Sequence, residues 1–235
     1  MKKVIHKADT RGHANHGWLK SHHTFSFAGY QDPERMNFGM LRVLNDDVVQ
    51  PKMGFGTHPH RNMEIISIPI SGALSHKDSM GNMRSIEVGE VQVMSAGTGL
   101  THSEFNDSKI EEVNFLQIWI IPEKENVTPY YNQKEFDLEG RKNKFQTLVS
   151  PVDKMVEGSL PINQQSYISK IDLDEGFETE YEVKNGAYFF LINGEVSLAD
   201  TTLEKRDAIG ISEIEKISIK ATKQSQLLII DVPLS

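Results

Sequence analysis

Nearly every periodic stretch of this chain repeats with a period of two, and that confines it to a fold built from strands. Phe25 and Phe27 alternate with Thr24 and Ser26, Val91 and Val93 flank Gln92, and Ile65–Ile70 is a β-branched run that stops at Ser71-Gly72. The apolar run Phe115–Ile121 ends at Pro122. Successive side chains on a strand point to opposite faces. Short runs of this kind, with Gly, Asn, Asp or Pro between them, predict an all-β sandwich or barrel. Amphipathic helix is scarce: Lys134–Lys144 reads either as a turn of helix or as a charged connection.

The second half reads as a worn copy of the first. Tyr188–Leu198 parallels Ile66–His76 around Gly194 and Gly72, and the chain end Leu227–Pro233 resembles Leu116–Pro122. The two glycines lie 122 residues apart, and that offset carries His58 and His60 onto Glu180 and Glu182. All nine histidines lie at or before position 102. The expectation is two β-domains, residues 1–132 and 133–235, of which only the first keeps its imidazoles. A single domain is the other reading of a chain of 235 residues.

Composition removes several classes of function. With 38% hydrophobic and 25% charged residues the chain is not of the disordered type. A net charge of −8 without a basic run argues against direct nucleic-acid binding. The absence of cysteine excludes disulfides, thiol catalysis and thiolate-bound metal, leaving His and carboxylate as the strong ligands. Met1-Lys2-Lys3 is not followed by the apolar core of a signal peptide, and no apolar stretch has the length of a membrane span. A cytoplasmic location and no membrane partner are the expectation.

Two short pairs carry the chemistry. His58-Pro59-His60 and His102-Ser103-Glu104 each follow a glycine-rich run and each place two donors at i and i+2. On a strand that spacing puts both side chains on one face, and two such strands facing each other would bring four ligands to one point. Three neutral imidazoles and a carboxylate suit Fe(II), Mn(II), Ni(II), Cu(II) or Zn(II). Glu64 shares the parity of His58 and His60 on a continuous strand, so it competes with Glu104 as the carboxylate or orients an imidazole from behind. Gln92 and Gln117 could orient ligands or could make ordinary sheet hydrogen bonds. His13, His16, His22 and His23 share no single face; the segment Arg11–Trp18 reads as an irregular loop that hydrogen bonds fix against the sheet. His76 precedes a hairpin turn and reads as exposed. Phe25, Phe27, Met53, Phe55 and Met94 would either wall an apolar pocket for a planar ligand or belong to the core.

The segments Arg11–Trp18, His23–Ala28, Phe55–His60, Met94–Gly99 and His102–Glu104 together resemble the pirin family, in particular its bacterial quercetin 2,3-dioxygenase-like members. The resemblance runs through the first 130 residues or so and continues more weakly to the end. It implies a bicupin: two double-stranded β-helix barrels facing each other, with metal in the first only. It implies His58, His60, His102 and Glu104 as the metal ligands, with Glu64 in the place that other cupins use for their carboxylate. The implied metal is Fe(II), with Zn, Mn, Ni, Co or Cu as other occupants. The implied activity is cleavage of flavonols such as quercetin by dioxygen with release of carbon monoxide, Glu104 taking the proton of the flavonol 3-hydroxyl. A second expectation is a metal- and redox-sensitive regulator of a transcription factor or metabolic enzyme. A third, another metal-dependent small-molecule cupin enzyme, would want a Lys- and Arg-rich pocket, and only Arg42 and Arg61 lie near the motifs.

Overall fold

Alternation in the sequence becomes alternation in burial. Lys216–Ala221 runs exposed, buried, exposed, buried, exposed, buried along its six residues. A computed structural model describes residues 1–235, which form twenty-two strands and two three-residue 3-10 turns. No helix is long and apolar enough to cross a membrane. One of the short turns, Glu139–Arg141, falls in the segment whose reading was open between helix and connection.

The strands form two seven-stranded and two four-stranded sheets. In the first half, a seven-stranded sheet centred on Glu64–Ser71 and Val113–Ile120 faces a four-stranded sheet in the order Gly54–His60, Leu100–Phe105, Ala73–Asp78, Met83–Glu87. The second half repeats this order strand for strand: Gly186–Asn193 and Ser225–Val232 at the centre, facing Glu178–Glu182, Lys216–Ala221, Glu195–Leu198, Thr201–Glu204. The two seven-stranded sheets stack face to face over one apolar cluster that includes Ile66, Leu116 and Ile118 from one side and Tyr188, Phe190 and Ile230 from the other. The expected all-β bicupin is therefore present, each half a sandwich with open edges instead of a closed barrel. The halves exchange outer strands. Lys2–His6 pairs with Ala208–Ser212 at the edge of the second sheet. Tyr130–Glu135, which spans the expected boundary at 132/133, pairs with Glu90–Ser95 in the first.

The offset of 122 residues maps Glu64–Ser71 onto Gly186–Asn193 end to end. It fails by one residue on the strand that carries His58 and His60. That strand bulges against its neighbour, so that Glu104 pairs with Phe55 but His102 pairs with His58. The bulge turns the following side chains to the other face. Glu178–Glu182 pairs without one. Glu180 and Glu182 consequently lie exposed outside, and Tyr181 is buried between them.

Cross-strand neighbours explain why only one half is polar inside. Asn45, Gln117, Ser67, Gln92 and Gln133 stand directly opposite one another across five strands of the first sheet. The matching central positions of the second sheet are Ile229, Phe189 and Ile209. These join Tyr181, Ile217 and Leu203 in an apolar core that fills the second sandwich.

Two local expectations fail. The segment Arg11–Trp18 is not a loop throughout, because Gly12–Asn15 is a strand paired with Leu19–His23. Gly12 permits this by lying against the ring of Tyr30, where a Cβ would come within 2.3 Å. Phe25 and Phe27 are not on a strand: the strand stops at His23, and Phe27 makes only an isolated bridge to Tyr30.

Candidate metal centre

The bulge aims His58 and His60 at His102. Their ring centroids lie 4.9 Å apart for His58 and His60, 4.4 Å for His58 and His102, and 4.8 Å for His60 and His102. One potential ligand atom from each lies within 4.8 Å of the others. The proton positions follow from the partners. Nδ1 of His58 sits 2.8 Å from the Gly56 carbonyl, which can only accept, so Nδ1–H donates and Nε2 keeps its lone pair. His102 Nε2 is buried without a hydrogen-bond partner. Such an atom needs an unmade contact to explain it, and an ion is the natural one here. Burial, with the neighbouring imidazoles adding to it, pushes His60 down to about 4 and His102 down to about 2. Both are neutral at physiological pH, the form that ligates.

Glu104 is buried, and burial pushes its carboxyl up. Its Oε2 accepts from Gln117 Nε2 at 2.8 Å and its Oε1 from Ser67 Oγ at 3.2 Å. Glu104 also lies with His102 and His76 in a second group whose ligand atoms are within 4.8 Å. Three imidazoles, an unpartnered buried nitrogen and a held carboxylate fit a divalent ion. Gln117 and Ser67 belong to the polar row of the seven-stranded sheet, which gives that row a function. Gln92 is buried in the same row with neither amide atom partnered.

Glu64 is elsewhere. The break at Arg61–Met63 places it in the other sheet, so the shared parity with His58 has no geometric meaning. Its carboxylate accepts from Ser95 Oγ at 2.6 Å and from the Asn163 backbone N–H at 3.2 Å, tying the first half to the second. His76, expected at an exposed turn, is 1% exposed and points inward. The overlooked signal is His76-Lys77-Asp78, a third pair at i and i+2.

Above the imidazoles lies a cavity of about 770 Å3, within the range of small-molecule sites. Its walls are Trp18, Phe27, Phe55 and Trp119; His58, His60, Glu104 and Gln117 also line it. His13 contributes from the strand Gly12–Asn15, and His16 and Tyr30 from the connections beside it, so the early histidines line the pocket more than they fix a loop. Of the expected aromatic and thioether set, Phe27 and Phe55 line the cavity, while Phe25 and Met94 are core and Met53 is exposed.

Asp47 is a lining residue that the sequence did not reveal. Ser21 Oγ donates to it, and burial, helped by the charges of Asp46 and Glu104, pushes it up to about 7. The folded chain therefore keeps a proton that the unfolded chain releases. That stabilisation is complete below the unfolded value and is lost as pH rises through about 7. Asp47→Asn is expected to gain stability over the wild type between pH 5 and pH 8, by roughly 3 kcal/mol. Denaturant unfolding of the metal-free proteins at both pH values reads this; a gap that does not widen with pH contradicts it.

The family model described as Pirin matches residues 4–120, and that described as Quercetinase C-terminal cupin domain matches residues 147–232. The quercetin 2,3-dioxygenase of Escherichia coli (strain K12) is 42% identical over 232 residues, covering 97% of this chain and 98% of that protein. A pirin-like protein of Caulobacter vibrioides is 39% identical over 225 residues, covering 95% and 96%. The crystal structure of the bacterial pirin YhhW from Escherichia coli in complex with nickel(II) aligns with a TM-score of 0.94 at 39% identity, covering 100% of each chain.

Proposed function

The chain belongs to the pirin family, and on that premise we propose that it is a metal-dependent dioxygenase that opens flavonols such as quercetin and releases carbon monoxide. The observation that carries this is the aromatic-walled cavity over the converging imidazoles of His58, His60 and His102, with the buried carboxylate of Glu104 in its lining. Residues 1–132 hold the chemistry in this reading, and residues 133–235 form the apolar support.

His58, His60, His102 and Glu104 would hold the ion, which in this reading is Fe(II). When bound, the ion supplies Lewis acidity toward the flavonol 3-oxygen and a means of engaging dioxygen. The chain does the rest. Trp18, Phe27, Phe55 and Trp119 sandwich a planar polyphenol and exclude water from it. Glu104 takes the proton of the 3-hydroxyl at a carboxylate oxygen. Burial favours that step, since it raises the affinity of Glu104 for a proton. Gln117 and Ser67 hold the carboxylate in place as its charge changes. The overall reaction adds both atoms of dioxygen to the substrate and expels one ring carbon as carbon monoxide. The substrates are thus a flavonol and dioxygen, and the setting is the cytoplasm. A regulator working only through a protein surface would have no use for an open aromatic cavity, and the cavity supports the enzyme.

The test is carbon monoxide release from quercetin under air by Fe(II)-reconstituted protein. Release at a rate well above that of free Fe(II) is the expected result. Metal-loaded protein that leaves quercetin unchanged would move the assignment to the regulator.

A further inference from the structure

Three adjacent strands of the four-stranded sheet, Gly54–His60, Leu100–Phe105 and Ala73–Asp78, each carry an i, i+2 pair: His58 and His60, His102 and Glu104, His76 and Asp78. The first two pairs are the proposed ligands. The third has no assigned role, although the side chains of His76 and Asp78 are both 0% exposed. A buried imidazole beside a buried carboxylate is costly unless its hydrogen bonds are made. Here they are made in a line. His76 Nε2 lies 3.1 Å from Asp78 Oδ2, and His76 Nδ1 lies 3.5 Å from His102 Nδ1. The Tyr131 ring packs tilted against the His76 ring, with centroids 4.7 Å apart.

Donor and acceptor accounting gives the line a direction. Asp78 accepts from the Met80 and Asn82 backbone N–H groups and from Asn82 Nδ2, all as a carboxylate does. It therefore accepts from His76 as well, and the His76 proton sits on Nε2. His76 Nδ1 then has a lone pair and accepts from His102 Nδ1–H. That leaves the lone pair of His102 on Nε2, the buried atom that has no partner. The second half supplies a comparison: at the 122-residue offset that fits Gly72 to Gly194, His76 maps onto Leu198, a core residue. The half without the imidazole cluster also lacks this line.

We infer that Asp78 and His76 form a positioning relay that fixes the tautomer of His102 and holds its Nε2 lone pair toward the site, thereby setting how tightly the site holds an ion. The inference rests on His102 being a ligand. A carboxylate behind an imidazole commonly tightens binding by 10–100-fold; here the imidazole of His76 would transmit that effect across a second ring.

Zn(II) is the probe, since it is diamagnetic and needs no turnover. Nitrogen-15 spectra of histidine-labelled, zinc-loaded protein are expected to show His76 as the Nε2–H tautomer. Competition with a chromophoric chelator is expected to show Zn(II) affinity about 10–100-fold lower in Asp78→Asn and in His76→Phe. An Nδ1–H tautomer at His76, or affinities within twofold of wild type in folded variants, would overturn the relay. Asp78 also ties the turn that follows it, so His76→Phe, which keeps a ring against Tyr131, and the wild-type spectrum decide the matter if Asp78→Asn does not fold. Wild-type protein that binds no Zn(II) would instead overturn the ligand assignment, and the relay with it.

Discussion

His60→Ala is expected to empty the metal centre and bring carbon monoxide release from quercetin to background. His60 contributes one of three converging lone pairs, and its ring sits edge-on between His102 and Trp119, at 4.8 Å and 5.0 Å. Losing a residue that only supports a ligand costs about 10–100-fold in metal affinity; losing a ligand should cost more. Fold stability should change little, because His60 lies at the end of an edge strand and makes no hydrogen bond through its ring. Metal content by elemental analysis, affinity by chelator competition and carbon monoxide release should fall together while the thermal midpoint of the metal-free protein holds. A variant that retains metal and turnover would remove His60 from the site.

Asp46→Ala is expected to be the most destabilising single change outside the apolar core. Asp46 Oδ2 lies 2.8 Å from Arg206 Nε and 3.6 Å from Arg11 Nη1, and Asp46 Oδ1 accepts from Asn114 Nδ2 at 2.8 Å. Arg206 comes from the second half, so this carboxylate sits at the join of the two sandwiches. The Arg11 and Arg206 side chains are only 5% and 14% exposed. Burial already lowers the pKa of Arg11, and the charge of Asp46 works against that. Removing the carboxylate leaves two buried cations facing each other, a situation that costs about 3–5 kcal/mol. Guanidinium unfolding should show the midpoint falling by that equivalent. A loss under about 1 kcal/mol would mean that water reaches the pair and screens it.

The two candidate pairs were legible because strand parity is a local property. Any i, i+2 pair on a strand faces one way, so His58 with His60 and His102 with Glu104 could be read without knowing the fold. His76 and Asp78 obey the same rule but were masked by Ser79-Met80-Gly81-Asn82, whose turn composition extended the apparent hairpin backwards over two inward-facing residues. Glu64 misled for the opposite reason: its parity is correct only if the strand runs on through Arg61–Met63, and the chain breaks there to change sheets. The row Asn45, Gln117, Ser67, Gln92, Gln133 is a property of register between distant strands, and no window along the sequence contains it. Phe25 and Phe27 alternate like a strand, but the only ladder pairing there is the isolated bridge from Phe27 to Tyr30. The repeat was legible at Gly72 and Gly194, where turn geometry is shared, and was lost where a single bulge changed the count.

Lys2–His6 is stitched to Ala208–Ser212. A ribosome makes the first of these strands about two hundred residues before its partner. That segment must therefore wait as an unpaired ribbon while everything between the two strands is made, although the sandwich that follows it already has what it needs to assemble. A change in Lys2–His6 would therefore act on a seam that closes late, whereas the same change in Ser225–Val232 would act on a central strand flanked on both sides.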